Sequence, residues 1–193
     1  LFGAQSFNTV VGFVAITFFA RELGAAQMGA FFLFEATVRV LNLFSDLGLG
    51  GAVEKRISEG QSGDKVLSTA LALKSVPLAI LALLTLALTE QINGYIGAEV
   101  ASLLFLALVL RELAQTTQKV LGGERRVGEM AAPDMSRQLG WFCVGAVLVV
   151  RGYGVRGLIY GLLVGNTLMF LWNWRRLRST LARPSVEHGR SLL

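Results

Sequence analysis

The sequence predicts an all-α fold, a polytopic membrane helix bundle with six transmembrane helices, and three observations carry the prediction. The chain of 193 residues is 53% hydrophobic and only 16% charged. Soluble domains carry roughly a quarter of charged residues, so this chain has too little charge to cover a soluble globule of its size. Apolar stretches long enough to cross a hydrocarbon layer of about 30 Å, or about 20 residues, recur six times. The basic residues collect in every second connection between them, as a multi-pass chain requires. Disorder, collagen and a disulfide scaffold are excluded by the wealth of Leu, Val, Ile and Phe, by 22 glycines without a triplet period, and by a single cysteine.

The first predicted span covers residues 1–20. It opens inside an apolar stretch and on Leu1 rather than Met, so the chain is expected to be a piece of a longer protein. A polar turn beginning at Arg21 separates it from the second span, 28–53. The third, 66–89, holds Lys74 about two helical turns in. Pro77 follows, and proline removes a backbone donor and can bend a helix. The fourth and fifth, 97–118 and 136–153, have unbroken apolar cores of only 100–110 and 141–150, so flanking polar residues must complete each crossing. The sixth, 157–174, carries Gly157, Gly161 and Gly165 every four residues, a smooth ridge for close helix approach. Asn166 and Thr167 beside that ridge are read as bonding to a neighbouring helix.

Translocation disfavours Lys and Arg in short loops. Of the 18 basic residues, 12 lie after spans two, four and six, counting Arg137 at the edge of the fifth span, while Arg21, Arg156 and, at the other edge of the fifth span, Arg151 lie on the opposite side and Arg39, Lys74 and Arg111 lie deep within spans. Both ends of the chain are therefore expected on the cytoplasmic face, with Trp172 and Trp174 beside Arg175 and Arg176 as an interfacial anchor. The same distribution speaks against nucleic acid as a partner despite the net charge of +5, because the basic residues sit where topology puts them.

Cys143 falls in the fifth span and His188 in the tail, so neither a metal site nor a Cys/His nucleophile pair can be built. No Walker-type glycine loop occurs. The stretch from Asp46 to Arg56 superficially matches the acidic Mg²⁺ motif of enzymes that join lipid phosphates, but the downstream acidic pair is missing. No enzyme and no cofactor are expected.

Charges inside a span cost several kcal/mol unless paired or hydrated, so each marks a candidate site. At 100° per residue, Glu35, Arg39, Asn42 and Asp46 fall at about 0°, 40°, 340° and 20°, a narrow polar stripe on one helical face that implies a polar interior. Glu35 and Arg39 have the i,i+4 spacing of an ion pair. Arg111 and Glu112, with Gln115, extend a polar face along the fourth span. Plainer readings stand beside these. Lys74 and Arg111 can snorkel to the headgroups, Arg39 can form an internal pair with Glu35, and Asp46, followed by Gly48, Gly50 and Gly51, can fix a helix end.

The first hairpin reads Arg21-Glu22-Leu23-Gly24-Ala25-Ala26-Gln27-Met28-Gly29, and the aromatic span after it ends Asp46-Leu47-Gly48-Leu49-Gly50. Over residues 17–60 this resembles the polysaccharide biosynthesis or O-antigen flippase branch of the multidrug/oligosaccharidyl-lipid/polysaccharide exporter superfamily. There the Arg-x-Leu-Gly-x-x-x-x-Gly turn, here Arg21, Leu23, Gly24 and Gly29, and the Asp-x-Gly helix end recur. Gly122-Gly123-Glu124-Arg125-Arg126 is similar to the family's inner loop after the fourth helix, and residues 51–60 are most similar to archaeal members. The resemblance implies that residues 1–174 are the N-terminal six-helix lobe of a two-lobed transporter in the plasma membrane. Residues 175–193 would be a cytoplasmic basic linker to a C-terminal lobe that this chain lacks.

The resemblance also implies a lipid-linked glycan as partner, amid membrane lipids, flipped by alternating access with its headgroup in a cationic polar cavity. Such a ligand needs cations for phosphate, hydrogen-bonding groups for sugars and an apolar flank for the polyprenyl chain. On that reading Arg39, Asn42, Lys74 and Arg111 bind substrate, aided by Gln5 and Asn8, while Glu35, Asp46 and Glu112 act as counter-ions or couple to a proton or Na⁺. A cation-coupled drug exporter of the same superfamily would favour an acidic cavity; the interior balance of three cations to three carboxylates does not decide, and the loop motif favours the flippase. A noncatalytic assembly subunit would use the glycine ridge for docking and hold no water-filled cavity.

Overall fold

The computed structural model describes residues 2–124 and 127–177, which are helical with short turns and contain no strand. The predicted linker beyond residue 177 and the pair Arg125-Arg126 lie outside the described residues. Helix α1 (Phe2–Asp46) is a hairpin of two arms, broken at Gly24 where the backbone takes φ 74° and ψ 174°, a conformation that glycine adopts without a Cβ clash. Phe19 from the first arm and Phe31 from the second both rest on Trp141, with ring centroids 5.5 and 6.0 Å away, so the arms run back alongside one another. The polar turn expected from Arg21 onward is thus compressed to a single glycine.

The second arm ends at Asp46, not at residue 53, because Leu47 (φ 46°) and Gly48 (φ 81°) are left-handed. The apolar residues beyond belong to a separate helix, α2 (Leu49–Ser58). Its Leu49, Val53 and Ile57 recur every four residues and are buried, while Lys55 and Ser58 are exposed. This period lays α2 against α3 (Gly63–Ala87) and the end of α5 (Ala101–Gly123) instead of extending the crossing. Helix α3 contains Pro77. Between them, α4 (Thr89–Ile96) stops at left-handed Gly97, and the Asn93 Oδ1 accepts the backbone N–H groups of Val100 and Ala101, both at 2.9 Å. The fourth span therefore starts at Ala101, later than the expected residue 97.

After a 3₁₀ turn at Val127–Glu129, α6 (Ala131–Leu148) passes through a π-helical turn, Val149–Tyr153, into α7 (Gly154–Leu177). By length and apolarity Gln5–Asp46, Gly63–Ala87 and Ala131–Leu177 can cross a membrane, the first and last holding two arms each. Helix α5, whose apolar run is broken by Arg111 and Glu112, lies between two cores: its Leu104 and Ala107 pack with α1, α6 and α7, and its Val120 and Leu121 with α2 and α3. The glycine ridge is already used inside the chain. A Cβ at Gly161 would stand 2.6 Å from the Trp141 carbonyl oxygen, and one at Gly165 would strike the Arg137 carbonyl, so α7 lies backbone to backbone on α6.

Candidate functional site: a polar trough above a buried ion network

The stripe on the second arm of α1 meets α3 and α5 in the interior. Lys74 is only 2% exposed, and its ammonium donates to Asp46 Oδ1 at 2.6 Å, Glu112 Oε2 at 2.8 Å and Thr116 Oγ1 at 2.9 Å. An ammonium has three hydrogens, so all are engaged. The other Glu112 oxygen accepts from the Asn42 amide and the Ser45 hydroxyl. Lys74 therefore does not snorkel; it ties three helical segments together from within. Asp46 also accepts the Gly50 backbone N–H at 3.1 Å, so it both fixes the helix end and holds the interior cation.

Toward the hairpin turn, Glu35 accepts from Arg39 at 2.7 Å and lies 3.6 Å from Arg111 Nη1. Arg39 forms the expected i,i+4 pair, yet its side chain stays 63% exposed. It lines three adjoining cavities of about 510, 490 and 360 Å³. The first also touches Phe31, Phe32, Gln138 and Trp141; the second Arg111, Lys119 and Arg137; the third Asn42, Asp46 and Lys74. Together they form a polar trough along the bundle, with Glu112 buried beneath it.

The structure thus brings together Arg39, Asn42, Lys74, Arg111, Glu35, Asp46 and Glu112. Gln5 is exposed and Asn8 half-buried, and neither lines the trough. Of the turn motif, Gly24 provides the positive φ and Leu23 packs on the core, but Arg21 and Gly29 are exposed and nothing in the structure explains them. Sequence reasoning missed Lys119 and Arg137, which it assigned to loops. The available signal was helical spacing: Arg111, Gln115 and Lys119 recur every four residues, and Arg137 lies four before Trp141. No group of His, Cys, Asp or Glu able to hold a metal occurs among the described residues.

Paired apolar helices around an interior of charged and amide side chains define a multi-pass membrane bundle. The chain belongs to the polysaccharide biosynthesis protein family, whose model matches residues 1–180. It is 44% identical over 192 residues to the probable low-salt glycan biosynthesis flippase Agl15 of Haloferax volcanii, across 100% of this chain and 41% of that protein. It is 27% identical over 200 residues to the probable flippase AglR of the same organism, across 99% of this chain and 40% of that one. The chain therefore spans about two fifths of the length of these curated relatives. No solved structure matches.

Proposed function

We propose that residues 1–174 form the N-terminal lobe of a flippase that carries a lipid-linked oligosaccharide across the plasma membrane, with residues 175–193 leading to a second lobe. The observation that carries this reading is Arg39, whose exposed guanidinium lines every section of the trough. Guanidinium forks hold phosphate through paired hydrogen bonds, and Arg111, Lys119 and Arg137 share the same surface. The second lobe would close over the trough, and rocking of the lobes would present it to each side in turn. Both ends of this lobe face the cytoplasm on the distribution of Lys and Arg, and its task is transport without a chemical step.

Glu112 acts beneath the surface in this scheme and the Lys74 ammonium is enclosed by its partners, while half-buried Asn42 links Glu112 to the third cavity. Asp46, one third exposed at the trough, is the carboxylate through which a coupling cation or proton would reach that network. The excess of cations over carboxylates along the second cavity disfavours the drug-exporter reading, which calls for an acidic interior. The test is translocation of a lipid-linked oligosaccharide by the full-length protein in proteoliposomes. Arg39→Ala should lower the rate at least about tenfold, the loss of one charge-assisted contact. An unchanged rate would sink the proposal.

A further inference from the structure

The trough changes character along its length. Following the second arm of α1 away from the hairpin turn, Phe31 and Phe32 come first, Arg39 next and Asp46 last. The cavity of about 510 Å³ at the turn end is walled by Phe31, Phe32, Trp141 and the Gln138 amide, with Glu35, Arg39 and Arg137 on the side it shares with its neighbour. The cavity of about 490 Å³ beyond Arg39 has Arg111, Lys119 and Arg137 on its wall and no aromatic ring among the described residues. Phe31 stacks on Trp141 at 12°, forming a rigid wall, while Phe32 is 47% exposed.

These two linings suit different chemistry. Clustered cations match phosphoryl oxygens. Aromatic faces beside an amide and a carboxylate match a ring with C–H groups on its faces and hydroxyls on its edge. We propose that Arg39 and Arg137, which line both cavities, divide the trough, the phosphate lying on the side of Arg111 and Lys119, and the first sugar residues occupying the cavity between Phe32 and Gln138. The headgroup then lies lengthwise, glycan toward the Gly24 turn. This partition rests on the flippase reading and adds to it a saccharide subsite with a fixed orientation.

Gly12 supplies the test. It lines only the aromatic cavity of the three, and a Cβ there would meet a single atom, Gln138 Nε2 at 3.2 Å. Leucine is a good helix former, so Gly12→Leu should plug that cavity and leave the helix and the cationic cavity intact. Binding of two probes to the full-length protein would be measured: polyprenyl phosphate alone, and polyprenyl phosphate bearing a disaccharide. The parent should bind the glycosylated probe more tightly. Gly12→Leu and Gln138→Ala should each weaken that probe about fivefold or more, the effect of one lost neutral hydrogen bond or its equivalent, and leave the bare lipid phosphate unchanged. That unchanged binding also shows the variants to be folded.

Equal binding of both probes by the parent would overturn the partition alone. So would a Gly12→Leu variant that weakens both probes or neither. If Arg39→Ala and Arg111→Ala leave the bare lipid phosphate unaffected, the flippase reading falls and the partition falls with it.

Discussion

Replacing Lys74 by methionine, a chain of similar length without charge, tests the buried network most directly. The substitution deletes hydrogen bonds to Asp46, Glu112 and Thr116 at 2.6, 2.8 and 2.9 Å. It strands Glu112, itself 1% exposed, without a cation. Asn42 and Ser45 still donate to one Glu112 oxygen, so the carboxylate is relieved only in part. Removing one partner from a buried ion pair costs about 3–5 kcal/mol, and burial leaves little solvent screening to reduce that figure here. Chemical denaturation of the full-length protein in detergent should register the loss. Adding Glu112→Gln to Lys74→Met should recover part of it, with a coupling of about 1–3 kcal/mol between the two sites. A Lys74→Met variant within about 0.5 kcal/mol of the parent, or single effects that simply add, would refute the network as a stabilising unit.

Other consequences follow from backbone geometry. Gly165→Ala drives a methyl group into the Arg137 carbonyl and close to the Trp141 N–H, so α6 and α7 must separate; the same denaturation assay should show a loss of about 1–3 kcal/mol. Asn93→Ala removes the acceptor for the Val100 and Ala101 N–H groups at the start of α5. It should cost about 1 kcal/mol, the usual value of an N-terminal cap, with faster amide hydrogen exchange in that first turn.

The stripe of Glu35, Arg39, Asn42 and Asp46 was legible because a regular helix turns every residue through a fixed angle, and the second arm of α1 is regular from Gly24 to Asp46. The pairing of Lys74 with Glu112 was not, since those residues lie 38 apart on different helices and no local period links them. Lys119 and Arg137 were misassigned for a related reason. A charge near the end of a span looks like part of a loop until the neighbouring helices show which side it faces. The end of the second arm was written in Asp46-Leu47-Gly48, but Leu49 and Val53 prolonged the apolar run and concealed the change from a crossing to an amphipathic helix. The glycine ridge was read as packing, and the close approach of α7 to α6 bears that out.

The spacing of the three network residues also sets a schedule for making the protein. Asp46 precedes Lys74 by 28 residues, and Glu112 follows it by 38. At a synthesis rate of about 5–20 residues per second, Lys74 exists for about 2–8 s before Glu112 is made. During that interval Asp46 is the one carboxylate of the finished pair already in the chain. The third helix therefore enters the bilayer with Asp46 as the one counter-charge that balances its lysine, and arrival of α5 adds Glu112 and Thr116, the two further acceptors that enclose the ammonium in the interior.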